Sequence, residues 1–122
     1  VLFNQEEGLN LSGLNNLAYF AGILDGEGSF FKEKNRGKHY YPTISCEMTD
    51  KDVILALKKY FKVGHVNEFP PRQKHWKTSY RWRVRGASAI EILKVIKKYL
   101  SIRRKEKIKV LIKEFPNVAK RN

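Results

Sequence analysis

Between residues 14 and 24 the apolar positions Leu14, Leu17, Ala21 and Leu24 recur at three-and-four spacing, which predicts one face of a helix. Ala18, Gly22 and Gly26 repeat every four residues as a second stripe carrying almost no side chain. Tyr19, Phe20 and Ile23 fill most of the rest, and a helix apolar on every side is expected to be buried on every side. The small stripe implies that another backbone comes close there. The helix starts at Ser12 or Gly13, and residues 1–12, without a clear period, read as an extension packed on the surface. Its glycine-rich far end carries two carboxylates, Asp25 and Glu27. A helix C-terminus is partially negative and favours cations, so these acids require a compensating positive charge.

Beyond the helix the period shortens to two. Residues 29–34 read as a strand, Asn35-Arg36-Gly37-Lys38 as a turn, and residues 39–48 as a second strand. Tyr41, Thr43, Ser45 and Glu47 alternate with Pro42, Ile44, Cys46 and Met48, giving one polar face and one dry face. Thr49-Asp50-Lys51-Asp52 reads as a cap for a second helix with Val53, Leu57, Tyr60 and Phe61 as its stripe. A short strand over 65–69 leads into a basic hairpin loop that contains Pro70-Pro71 and so cannot be a central strand. Residues 79–85 return as a strand, with Tyr80, Trp82 and Val84 inward and Arg81, Arg83 and Arg85 outward. Three arginines on one strand face repel one another without an anionic partner. Ser88-Ala89-Ile90-Glu91 reads as a capping box opening a third helix through Leu93, Ile96 and Leu100. A basic junction, Ile102 to Lys107, then precedes a last helix bearing Ile108, Leu111, Ile112 and Phe115, stopped by Pro116, with a frayed tail over 117–122. This order predicts an α+β fold in a single domain over 1–122, one four-stranded antiparallel sheet with its helices on one face.

Composition sharpens the picture. The 122 residues carry 25 Lys and Arg against 12 Asp and Glu, a formal charge of +13 that implies a polyanionic partner, nucleic acid or an acidic membrane surface. No apolar run approaches the ~18 residues of a spanning helix, and no signal-peptide pattern opens the chain. The one cysteine, Cys46, excludes an intramolecular disulfide and fits an intracellular, reducing compartment. His39, His65 and His75 stand apart, without zinc-ligand spacing.

Phe20-Ala21-Gly22-Ile23-Leu24-Asp25-Gly26-Glu27-Gly28, followed by Ser29-Phe30, resembles the motif of the LAGLIDADG homing endonucleases. Phe20 replaces the first Leu, Gly26 the second Ala and Glu27 the second Asp. The helix–strand order resembles that family's fold over nearly the full length: αββαββα plus a C-terminal helix, with a saddle-shaped sheet laid into the DNA major groove. The motif occurs once, and single-motif relatives pair as homodimers on long pseudo-palindromic targets. The resemblance therefore makes Ala18, Gly22 and Gly26 the twofold helix contact. It implies a site-specific, intron- or intein-associated DNA endonuclease using Mg²⁺ or another divalent ion such as Mn²⁺, with no membrane partner and no small-molecule cofactor. An RNA-binding maturase and a non-catalytic DNA-binding regulator are the alternatives on the same scaffold.

Carried over residue by residue, Glu27 matches the family's metal-binding acid and the carbonyl of Gly26 its backbone ligand. Hard ions prefer such oxygens. Asp50 matches a polar residue that orders solvent near the attacking water, with plain helix capping as its alternative. Arg103 matches a basic residue that polarises that solvent, and Lys105 is the alternative. Since Arg keeps its proton at neutral pH, Arg103 would act electrostatically or by position. Asp25 is expected to cap or hydrogen-bond rather than to hold metal. On the sheet, Glu33, Asn35, Tyr41, Thr43, Ser45, Glu47, Asn67, Arg81, Arg83 and Arg85 are the expected base-reading residues. Lys32 and Lys34 have the opposite parity and are candidates for phosphate, as are Lys38, Arg72, Lys74 and Lys77.

Overall fold

The computed structural model describes residues 13–116, so the expected extension over 1–12 and frayed tail over 117–122 lie outside the described residues. The elements run α1 (Gly13–Glu27), β1 (Gly28–Lys34), β2 (Tyr40–Met48), α2 (Lys51–Phe61), β3 (His65–Phe69), β4 (Ser79–Arg85), α3 (Ala87–Ile96), a 3₁₀ turn (Lys97–Tyr99) and α4 (Ile102–Glu114). The strands form one antiparallel sheet in the order β1-β2-β4-β3. This is the expected α+β architecture.

One parity of every strand faces the helices. Phe30, Ile44, Cys46, Trp82 and Val84 are buried there against Phe20, Ala21 and Leu24 of α1, Ile54 and Leu57 of α2, Ile90, Leu93 and Ile96 of α3, and Ile108 of α4. An aromatic seam crosses the core: Phe20 stacks on Tyr60 with centroids 4.6 Å apart, and Phe61 stacks on Trp82 at 5.6 Å. The Trp82 indole N–H donates to the Val63 carbonyl at 2.9 Å, so its single polar atom is satisfied. Gly64 is required beside it. Its φ is +96°, and a Cβ there would stand 2.6 Å from Trp82 Nε1.

Three expected boundaries move. The third helix does not open on a capping box at Ser88; it opens on Gly86, whose φ of +74° turns the chain and whose N–H donates to the Pro42 carbonyl. It also ends at Ile96, and the 3₁₀ turn brings Leu100 into the core. The basic stretch from Ile102 is no junction. It is the first turns of α4, with Ser101 as its N-cap.

Helix α1 buries one side within the chain. Phe20, Ala21 and Leu24 are buried, but Tyr19 is 45% exposed and Gly22 and Gly26 are open. Among the described residues a Cβ at Gly22 or Gly26 would meet no atom within 4 Å, so none of their backbone approaches these two glycines. Gly28 behaves oppositely: its Cβ would lie 2.6 Å from the Leu24 carbonyl oxygen, which is where helix and strand meet.

Candidate functional site

The acids at the end of α1 have separate surroundings. Asp25 Oδ1 accepts from both the backbone N–H and the hydroxyl of Ser101, each at 3.1 Å. It therefore sits at the negative end of α1 and at the positive end of α4 together, and the second dipole supplies the compensation the first denies it. Asp25→Ala is expected to lower stability by about 0.5–2 kcal/mol, the range for losing a helix N-terminal acceptor, and Asp25→Asn by less. Denaturant midpoints compare the two variants. Equal midpoints for wild type and Asp25→Ala would refute the contact.

Glu27 is exposed, and among the described residues it makes no hydrogen bond or ion pair. Its charge reaches Cys46, which pairs across the sheet with Gly28. Burial, and secondarily the Glu27 carboxylate, push the Cys46 thiol up to about 11, so it stays protonated and inert at neutral pH. The carbonyl of Gly26 lies in the last turn of α1, where helix carbonyls lack intrahelical donors. A carboxylate beside such carbonyls is a hard-oxygen donor set that fits Mg²⁺ or Mn²⁺. It is incomplete in one chain. Among the described residues no three His, Cys, Asp or Glu side chains come together.

The first turns of α4 close on this helix end. Arg103, Arg104 and Lys107 line a cleft of about 400 Å³ with Gly28, Ser29 and Phe30. Arg104 donates to the Gly28 carbonyl at 2.7 Å and lies 5.1 Å from the Phe30 ring centre. Of the two alternatives, Arg103 is exposed and borders the motif, whereas half-buried Lys105 does not line the cleft. Arg104 was not foreseen; its helical phase on α4, toward the core beside Ile108, was the available signal. Asp50 occupies the N-cap position of α2 without a side-chain capping bond, so its exposed carboxylate is uncommitted.

Away from the helices, the other sheet parity forms a polar face. Registered rows run Ser29–Ser45–Arg83–His65, Phe31–Thr43–Arg85, Glu47–Arg81–Asn67 and Glu33–Tyr41. Each arginine lies over a ring on this face: Arg81 over Phe69 at 4.6 Å, Arg83 over Phe31 at 5.9 Å, Arg85 over Tyr41 at 5.3 Å. The Nε atoms of Arg81 and Arg83 are buried without a hydrogen-bond partner. Ser29, Phe31, His65 and Phe69 were missed by the sequence reading, although their parity with Glu33 and Asn67 marks them.

Some expected DNA contacts are engaged within the chain. Thr43 has no exposure, and its hydroxyl donates to Glu33 at 3.3 Å. Lys32 and Lys34 share the helix-side parity: Lys32 pairs with Glu114 at 2.8 Å, which raises its pKa, and both ammonium groups lie near the Tyr40 ring. Asn35 has its carbonyl oxygen occupied by the Gly37 N–H at 2.8 Å, so it lacks the free amide fork that adenine requires. Glu47 accepts from the Ser79 hydroxyl at 2.9 Å but stays exposed, as does Asn67. The arginines do not repel unopposed either. Glu33 lies 3.2 Å from Arg83 and 3.7 Å from Arg85.

The remaining cations flank this face. Lys38 is exposed in the β1–β2 turn, and Arg72, Lys74 and Lys77 are exposed in the β3–β4 loop, at opposite ends of the sheet by register. Among the described residues no helix is long and apolar enough to cross a membrane.

No protein-family model matches the chain. A stretch of 81 residues, 64% of the chain, is 33% identical to an uncharacterized protein of Methanocaldococcus jannaschii and spans only 29% of that protein's length. The fold superposes on the homing endonuclease I-CvuI in complex with its target with a TM-score of 0.66 at 20% identity, over 86% of this chain and 70% of that one. The homing endonuclease I-TnaI matches at 0.58 and 25% identity over 80% of this chain and 69% of that one. The LAGLIDADG homing endonuclease I-GzeII, in complex with a DNA target, matches at 0.61 and 27% identity over 84% of this chain and 36% of that one. With that fold in place, and with the motif from Phe20 to Gly28 forming the end of α1 and its entry into β1, the chain belongs to the LAGLIDADG homing endonuclease family.

Proposed function

We propose that the chain is a site-specific double-stranded DNA endonuclease, intron- or intein-associated, that works as a homodimer with a divalent ion, Mg²⁺ or Mn²⁺. The proposal rests on one juxtaposition: Glu27 stands uncommitted at the end of an open glycine stripe and leads straight into the arginine-bearing sheet. Pairing two chains through Ala18, Gly22 and Gly26 brings two copies of Glu27 together, which completes a donor set that one chain lacks. Like charges that close are unfavourable until a cation lies between them. The chain fills 36% of I-GzeII, a protein long enough for two such units, which supports the use of two copies here. I-CvuI was solved with its target and Ca, and with a DNA target and Mg, in keeping with a divalent ion.

Bound divalent metal would acidify an attacking water and stabilise the leaving alkoxide of a phosphodiester. Glu27 and the Gly26 carbonyl would hold it. Arg103, a fixed positive charge at the cleft beside the motif, would steady the scissile phosphate or its water, and the exposed Asp50 carboxylate would orient solvent. Arg81, Arg83 and Arg85, with Ser45, Glu47, Tyr41 and Asn67, meet base edges, and Lys38, Arg72, Lys74 and Lys77 meet phosphates at the two ends. The protonated, unpaired Cys46 fits a reducing compartment.

The test is cleavage of a pool of randomised duplexes in Mg²⁺, followed by sequencing of the new ends, together with the joined-exon sequence wherever the reading frame interrupts a gene. Recurrent, EDTA-sensitive cuts at one near-palindromic sequence are expected. Tight binding of folded RNA with no cut in any duplex would overturn the proposal in favour of splicing assistance.

A further inference from the structure

The sheet face carries one acid among its arginines that the proposed reaction does not use. Glu33 lies on β1, yet its carboxylate reaches across β2 to β4. Oε2 meets Arg83 Nη1 at 3.2 Å, and Oε1 meets Arg85 Nε at 3.7 Å while accepting from Thr43 at 3.3 Å. The register explains the reach. Glu33 pairs with Tyr41, Thr43 is the next residue of the same parity on β2, and Arg85 pairs with Thr43 while Arg83 pairs with Ser45. Both carboxylate oxygens therefore face donors from this chain. The clasp is half-shielded: the side chains of Glu33 and Arg83 are 27% and 21% exposed, against 52% for Arg85. Thr43 beneath is sealed off completely.

We propose that Glu33 is a specificity-determining positioning residue: it clasps Arg83 and Arg85 so that they read bases and do not grip phosphate. The inference rests on the DNA-binding reading above. A guanidinium whose charge is partly met by a neighbouring carboxylate keeps its remaining N–H donors for the neutral O6 and N7 acceptors of guanine. Its attraction to a phosphate is reduced, because the same carboxylate repels the phosphate. Sequence-independent affinity comes from phosphate contacts and counterion release, whereas base contacts carry discrimination. A fixed anion placed between two reading arginines therefore weakens the first and spares the second. It also fixes the side-chain geometry: Arg83 is held at Nη1 by Glu33 and over Phe31 by its plane.

The test is Glu33→Gln in the full chain, with EDTA present so that nothing is cut. Its probes are an arbitrary non-cognate duplex, poly(dI-dC), and the best site selected from a randomised duplex pool. Glutamine keeps the size and removes the charge. The variant should bind poly(dI-dC) several-fold more tightly at low salt, with a salt slope steeper by about one unit per chain over roughly 50–200 mM. Its ratio of selected-site to poly(dI-dC) affinity should fall about tenfold, the scale of one bidentate contact. Thr43→Val, which removes only the supporting hydroxyl, should leave the slope unchanged, and so separates charge from packing. An unchanged slope in Glu33→Gln overturns the inference. So does a loss confined to one base pair with poly(dI-dC) binding unchanged, since that would make Glu33 a direct base contact. A wild-type protein that binds duplexes but cuts none defeats the nuclease proposal and leaves this inference standing; one that binds no duplex defeats both.

Discussion

Glu27→Gln is expected to abolish Mg²⁺-dependent cleavage while leaving folding and duplex binding intact. The side chain is exposed and makes no bond with any described residue, so the amide disturbs nothing in the chain's own packing. What it removes is the charge that holds a divalent ion at the end of α1. Metal stabilisation of a phosphoryl transition state is worth several kcal/mol, and each 1.36 kcal/mol is tenfold in rate, so the loss should be about a thousandfold or more. Removing the acid from both close copies also relieves repulsion, so dimer stability should hold or rise slightly. Single-turnover cleavage of a bound duplex, with binding measured separately in Ca²⁺, reads the two effects apart. A variant that cuts at the wild-type rate in Mg²⁺ would exclude Glu27 as the ligand.

Gly22→Leu is expected to dissociate the dimer without unfolding the chain. Overpacking and a failed fold are usually hard to tell apart, but here they separate. A Cβ at Gly22 meets no atom within 4 Å among the described residues, so the described fold has room for the side chain. The substitution also removes a helix-interior glycine, which favours α1 by about 0.8–1.0 kcal/mol before solvent exposure of the Leu is counted. At a twofold contact each protomer contributes one inserted Leu. Overpacking costs about 1–3 kcal/mol per site, so association should weaken by roughly thirtyfold or more. Sedimentation over a concentration series, beside thermal melts, provides the check. Cleavage should fall with dimer population and recover at high protein concentration. A wild-type-like dimer for Gly22→Leu would remove the proposed interface, and a lowered melting temperature in dilute protein would mean that α1 is more enclosed than one chain shows.

Strands β3 and β4 lie where alternation and the Pro70-Pro71 pair place them, over His65–Phe69 and Ser79–Arg85. The inward set Tyr80, Trp82 and Val84 follows from period two, and the glycine stripe of α1 from period four. These features are local: spacing along one segment decides which side chains share a face. The end of α1, with its glycines and two acids, was legible for the same reason.

Partners far apart in the chain were not. Asp25 finds Ser101 across 76 residues, and nothing in either segment names the other. The partial charge compensation of Arg83 and Arg85 depends on Glu33 lying two strands away in the order β1-β2-β4-β3, which alternation does not encode. Thr43 has the parity of a surface residue and is nevertheless buried, because its neighbours on that face are long enough to close over it. Lys32 faces Glu114 only because α4 packs along β1. Period and turn chemistry thus determined the elements, their faces and the motif end. Strand order and helix docking decided which charges meet, since Coulomb and hydrogen-bond energies depend on distances through space that the chain's own spacing leaves open.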